Sequence, residues 1–221
     1  MSMLGVSEAA AVLDVSERRV RQMLADGALE GERIGRAWVV DADQLRSARH
    51  RRPKVGRPWS AASAWALLAL ADGKDLELSP VERSRAKKRL AEGLERAVGR
   101  LAARAELHRF YAHPSVLDRL AHSPKIVRGG ASAAAEREID LLAQDRFDGY
   151  VRASDLDSLV PRFALESDAE RPNVVLRVVN DSVWPFSDEQ RVAGRAIVAV
   201  DLLESDDARS RRSGVELVGR L

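Results

Sequence analysis

Arg18, Arg19, Arg21 and Gln22 stand close together near the start of a 221-residue chain. Arginine can bond two atoms of a guanine edge at once, and glutamine two atoms of an adenine edge. Such a cluster suits the reading of a DNA major groove. It contains no nucleophile, no general base and no metal ligand. Ser16, Arg33, Arg36, Arg51 and Arg52 complete the candidate DNA contacts.

The elements that must position these residues can be read from the flanking sequence. A first helix is expected from Ser7 to Leu13, a turn at Asp14-Val15-Ser16, and a second helix from Glu17 to about Asp26. Ser7 and Ser16 are suited to N-caps because a serine hydroxyl accepts from an orphan backbone N–H. Gly27 stands where a left-handed C-cap residue is expected. At about 100° per residue, Val20, Met23 and Leu24 share one arc of the second helix, and Arg18, Arg19, Arg21 and Gln22 occupy the rest. The apolar arc can pack on Ala10, Leu13 and Val15. An ordinary amphipathic helix with a solvated charged face would show the same charges; the surrounding arrangement favours DNA. Leu29 to Ile34, then Gly35-Arg36, then Ala37 to Val40 give a hairpin signal. It would carry Arg33 and Arg36 towards phosphates. Trp38 fits a core plug between hairpin and helices better than a DNA wedge. Asp41 or Asp43 is expected to cap a further short helix through Leu45.

The runs EAA, LDVS, RRVRQML, GAL and GRAWVV together resemble the excisionase or MerR-type winged helix-turn-helix, over about the first fifth of the chain. The resemblance implies that the second helix enters the major groove and that the wing lies along the backbone. By position it makes Arg18, Arg19, Arg21 and Gln22 recognition-helix contacts, and Arg33 and Arg36 wing contacts.

From Arg46 to Pro58 the chain is basic and contains no acid, with two prolines and a glycine, so it reads as a linker. It is either an arm that tracks phosphates or enters a minor groove, or a solubilising hinge. Ser60 to Asp72 reads as a helix apolar nearly all round, which must be buried in a core or an interface. Ser79-Pro80-Val81-Glu82 is a capping-box start. The helix it opens is expected to reach about Arg104, with Leu90, Leu94, Ala97 or Val98, and Leu101 as its apolar stripe. These two helices would form a connector and a possible dimer interface.

Beyond about Tyr111 the pattern becomes mixed. Strands are expected at Lys125–Arg128, Tyr150–Arg152, Val174–Val179 and Ala196–Val200. Helices are expected at about Ala131–Leu142, from a Ser154 cap through Leu159, and at about Asp207–Leu217, the last containing Gly214. The run from Ile126 to Ala134, the run NVVLRVV and the run from Val198 to Gly214 resemble actinobacterial AbiE-type antitoxins. That resemblance implies a repressor that binds inverted repeats in its own promoter and counteracts a nucleotidyltransferase-like toxin.

Enzyme chemistry finds little support. His50, His108, His113 and His122 show no zinc-ligand pattern. Asp155 and Asp157 are spaced like a metal-binding pair, but a Ser154 cap with an acidic first turn accounts for them. Gly129-Gly130 ahead of a helix could hold an anion, yet it lacks the rest of a phosphate-loop or dinucleotide signature, so a turn is the better reading. The chain has no cysteine, which excludes disulfides and thiolate chemistry. A net charge of +2 makes local clusters more informative than the total. The N-terminus has no signal-peptide pattern, and the apolar run Trp59–Ala71 is too short to span a bilayer.

The expected fold class is α+β: a winged helix-turn-helix DNA-binding domain over residues 1–48, a basic linker over 49–58, a helical connector over 59–110 and a C-terminal mixed α/β domain over 111–221. The expected protein is a cytoplasmic, non-catalytic, homodimeric repressor of double-stranded DNA, without metal or cofactor and with a cognate toxin as possible partner. The alternatives are an excisionase-like architecture factor or a ligand-responsive regulator.

Overall fold

The computed structural model describes residues 3–13, 16–25, 29, 31–35, 37–42, 58–74, 78–139, 141, 145–167 and 169–221; of residues 19, 22, 23, 25, 34, 37 and 41 it describes the backbone alone. The chain divides into two compact units, Met1–Val55 and Gly56–Leu221. Among the described residues no helix is long and apolar enough to cross a membrane.

The first unit runs β1 (Met3–Gly5), α1 (Val6–Leu13), α2 (Glu17–Ala25), β2 (Glu32–Ile34) and β3 (Ala37–Asp41). The strands form an antiparallel sheet in the order β1-β3-β2. The β2–β3 hairpin is the expected one, with Ile34 opposite Ala37 and Gly35 at φ +63° in the turn. A positive φ in a two-residue hairpin turn is the conformation that matches strand twist, and glycine adopts it without a Cβ penalty. Ala9, Ala10, Leu13, Val20, Leu24, Leu29 and Val40 form the core, with Trp38 packed against it as a half-buried plug.

Two local expectations change here. The helix begins at Val6, so Ser7 lies inside it; the backbone N–H of Gly5 donates instead to Glu8 Oε2 at 2.9 Å. A carboxylate three positions on can reach back to an orphan N–H, which lets the helix start earlier. Strand β1 was unforeseen, since three residues carry no readable alternation. Asp41 closes β3. The expected turn at Asp14-Val15, the C-cap at Gly27 and the short helix through Leu45 lie outside the described residues.

The second unit contains α3 (Ala61–Ala71), α4 (Pro80–Ala91), α5 (Leu94–Ala97), β4 (Glu106–Tyr111), α6 (Pro114–Ala121), β5 (Val127–Arg128), β6 (Phe147–Arg152), α7 (Ala153–Arg162), β7 (Glu166–Ser167), β8 (Val174–Val179), α8 (Arg195–Leu203) and α9 (Ala208–Val218). Its five-stranded sheet has the order β5-β6-β8-β4-β7, with β6 and β8 parallel and the other pairs antiparallel. One face presents Phe110, Phe147, Val151, Val174, Leu176 and Val178 to Leu120 of α6 and Leu159 of α7. The other face carries Leu107, Arg109, Asp148, Tyr150, Val175 and Arg177, as the register pairs show. This charged face is the one that α8 approaches.

Helix α3 is buried as expected, and its burial is met within its own chain. Ala64, Trp65, Leu67 and Leu68 share one core with Leu94, Ala97 and Leu101, with Tyr150 and with the whole of α8 from Ala196 to Val200. Helix α3 and the stripe Leu94, Ala97 and Leu101, expected as part of a separate connector over residues 59–110, therefore share a core with the C-terminal part.

Four further expectations are corrected. The capping box at Ser79 and Glu82 is present, with Ser79 N–H to Glu82 Oε2 at 3.0 Å, but its helix ends at Ala91. Gly93, at φ +98°, turns the chain there before α5 and two 3-10 turns carry the same apolar stripe inward. Ala196–Val200 is helix rather than strand: a short all-apolar run satisfies any buried element, and here the helix is buried on every side. The expected helix at Ala131–Leu142 is two short 3-10 turns, Gly130–Ala133 and Ala135–Arg137. Ser154 is inside α7; its N–H and hydroxyl both donate to Asp181, at 3.2 and 2.7 Å, so a carboxylate from after β8 caps that helix.

Candidate nucleic-acid interface

Helix α2 sorts its side chains as the periodicity requires. Val20 and Leu24 are buried against α1, while Ser16, Glu17, Arg18 and Arg21 are exposed. Ser16 stands at the N-cap position and its carbonyl accepts from Val20 N–H at 3.1 Å. Arg18 and Arg21, one turn apart, share the solvent side. Arg21 Nη2 lies 2.6 Å from Glu17 Oε2, with both side chains about half exposed (58% and 47%). A pair so exposed is worth between about 0 and 1 kcal/mol, so water or a phosphate can replace Glu17 at little cost.

The hairpin offers a second set of groups. Arg33 is exposed on β2, directly cross-strand from Trp38. Paired residues in an antiparallel ladder share a face, so Arg33 lies on the same face of the hairpin as Trp38. Ser16, Arg18, Arg21 and Arg33 are thus all placed on the surface of this unit. Arg19 and Gln22 lie on α2 by backbone position, and their side chains, like Arg36, Arg51 and Arg52 entirely, lie outside the described residues.

Asp155, His113 and His122 acquire structural explanations, and His50 lies outside the described residues. Asp155 accepts from Lys125 Nζ at 2.6 Å. His113 caps α6 through Ser115 N–H at 3.3 Å, and His122 bonds the Asp118 carbonyl at 2.8 Å. Among the described residues there is no cluster of histidine and carboxylate groups able to hold a metal ion.

Gly129-Gly130 does hold an anion, and it is the chain's own. Gly130 N–H donates to Asp201 Oδ2 at 3.1 Å, and a Cβ on Gly129 would lie 2.7 Å from that oxygen and 2.9 Å from the Tyr150 ring. Asp201 Oδ1 accepts from the Tyr150 hydroxyl at 2.5 Å and from Arg104 Nη2 at 2.9 Å. Arg177 Nε is 3.2 Å from the same oxygen, and Arg177 Nη1 is 3.5 Å from Asp148 Oδ1. Arg104 also grips Glu204 through both terminal nitrogens, at 2.7 and 2.6 Å. This network is nearly dry: Arg104, Arg177 and Asp201 are only 3, 5 and 2% exposed. Burial works against the charge of both arginines, but the surrounding oxygens outweigh it and hold both guanidinium groups above their ordinary values. Burial likewise pushes the Tyr150 phenol up, so it stays a neutral donor. Burial also raises Asp148, partly offset by Arg177. No spacing in the sequence signals this cluster, because its members come from five separate segments.

Residues 3–52 match a family described as a helix-turn-helix domain. Neither a curated protein nor a solved structure matches the chain. The N-terminal segment is a helix-turn-helix domain, the kind of element that binds DNA, and its match spans the sheet, both helices and the start of the basic run.

Proposed function

We propose that this chain is a sequence-specific DNA-binding transcriptional repressor that uses α2 as its recognition helix and the β2–β3 hairpin as a wing. The observation that carries the reading is the sorting of α2 within a helix-turn-helix domain: Val20 and Leu24 inward, Arg18 and Arg21 outward. Arg18, Arg19, Arg21 and Gln22 read base edges in the major groove, with Ser16 at the helix start beside the backbone. Arg33 and Arg36 contact phosphates from the wing, and Arg51 and Arg52 extend that contact along the backbone. No catalytic step belongs to this function.

The resemblance of the C-terminal runs to AbiE-type antitoxins supports a more specific reading. The repressor is then a cytoplasmic homodimer that occupies an inverted repeat in its own promoter, and its C-terminal part counteracts a nucleotidyltransferase-type toxin. DNase footprinting on that promoter tests the repressor. Two protected half-sites, one helical turn or a multiple of it apart, are expected; a single asymmetric footprint contradicts the dimer. Co-expression with the adjacent reading frame tests the antitoxin separately. Rescue from that gene's toxicity supports it, and a harmless neighbour removes it. A second reading, an excisionase-like architecture factor, is favoured by the N-terminal match alone, and the long second unit counts against it.

A further inference from the structure

The charged face of the five-stranded sheet is only partly covered. Helix α8 closes over Tyr150 and Val179, but beside it a cleft of about 430 Å³ remains open. Its floor is Leu107, Val175 and Arg177, and its walls include the turn between α8 and α9 and the segments leading into β6 and β8. That volume falls within the range of small-molecule sites.

The charges around this cleft do not cancel in use, although they do in number. Arg109, Arg146, Arg171 and Arg177 face Asp148, Asp201, Glu204 and Asp206. The four acids are already engaged. Asp201 is held by Tyr150, Arg104 and Gly130, and Glu204 by Arg104. Asp206 lies 3.7 Å from Arg109, and Asp148 accepts from Ala131 N–H at 3.3 Å beside Arg177. The arginines are not all engaged. Nε and Nη1 of Arg177 are buried and ion-paired with Asp201 and Asp148, at 3.2 and 3.5 Å, without meeting hydrogen-bond geometry. Arg146 and Arg171, exposed at the rim, make no ion pair among the described residues.

We infer that this cleft binds a small organic anion, its carboxylate or phosphate head met by Arg146, Arg171 and Arg177 and its apolar body resting on Leu107 and Val175. Arginine's planar fork suits such oxyanions. The site lies wholly within the second unit and does not depend on DNA recognition.

The test uses the full chain, with calorimetry and thermal unfolding. Adenosine monophosphate and citrate represent the phosphate and carboxylate classes, and uncharged adenosine is the control. Expected is saturable binding of at least one anion, stronger than any binding of adenosine. Its Kd should rise about tenfold in Arg146→Ala or Arg171→Ala, the loss of one charge-assisted contact. Both residues are exposed, so the unliganded variants should unfold at the wild-type temperature. No saturable binding of either anion overturns the inference. So does equal binding of adenosine, or an affinity unchanged in both variants.

Discussion

Glu17 and Arg21 sit one turn apart on the exposed side of α2, joined at 2.6 Å. In the DNA-bound state this pairing competes with a base or a phosphate, and the carboxylate itself repels the backbone. Glu17→Gln removes both effects. It should tighten DNA binding about two- to fivefold, the scale of an exposed ion pair, as measured by fluorescence anisotropy at low salt; weaker binding would show that Glu17 organises the arginine instead. Asp201 acts in the opposite setting, where water is excluded. Asp201→Asn leaves Arg104 and Arg177 buried with reduced compensation and should cost about 3–5 kcal/mol in urea unfolding. A cost below about 1 kcal/mol would mean that Glu204 and Asp148 alone balance the two cations.

At the scale of elements, two helices are capped by carboxylates from elsewhere in the chain. Asp181 does this for α7. For α8, Asp72 Oδ1 accepts from Ala196 N–H at 2.7 Å. Burial raises the Asp72 carboxyl above its ordinary value, partly offset by that hydrogen bond and by Lys74 and Arg137. A pKa higher in the folded than in the unfolded state means that the folded state binds the proton more tightly. The stabilisation is therefore fully present below the ordinary carboxylate value and is lost as pH rises through the folded one. Asp72→Asn keeps the acceptor and removes the charge, so it should unfold at a higher temperature than wild type at pH 7, with the gap closing below about pH 4. Asp72→Ala, lacking the acceptor, should lose about 1 kcal/mol. Thermal melts across pH distinguish the two.

These caps also mark where the sequence stopped being legible. Serines near helix starts could be seen, and Ser60 and Ser79 do cap their helices. Ser7 and Ser154 do not, because their helices start earlier, where Glu8 takes the Gly5 N–H and Asp181 takes the Ser154 N–H. The strand Val174–Val179 was readable from its apolar run, whereas the similar run Ala196–Val200 forms a helix, since full burial erases the periodicity that separates the two. Gly214 stands inside the last expected helix, where glycine is ordinarily unfavourable. In the structure it permits that helix, because a Cβ there would lie 2.9 Å from the Leu203 nitrogen, where α9 crosses α8. The outward arginines of α2 were legible from local spacing. The Asp201 network was not, because it is assembled entirely by tertiary contacts.

The whole molecule consists of two units with separate cores, one a helix-turn-helix domain and the other a larger α+β body. A unit of about fifty residues has a modest core, formed among the described residues by the cluster around Val20 and Val40. Its surface arginines are therefore free to serve binding rather than folding, and substituting them should leave stability unchanged. The larger unit carries the buried ion network and the cleft beside it.

The central claim, that α2 reads bases while the wing holds the backbone, is tested most directly by anisotropy titration of wild type, Arg18→Ala and Arg33→Ala. Each protein is titrated on promoter DNA and on a scrambled duplex over a range of salt. Arg18→Ala should lose about 1–3 kcal/mol on the promoter and little on the scrambled duplex, which relaxes specificity. Arg33→Ala should weaken both about equally and reduce the salt slope by about 1. Affinity and salt slope unchanged in both variants would contradict the account.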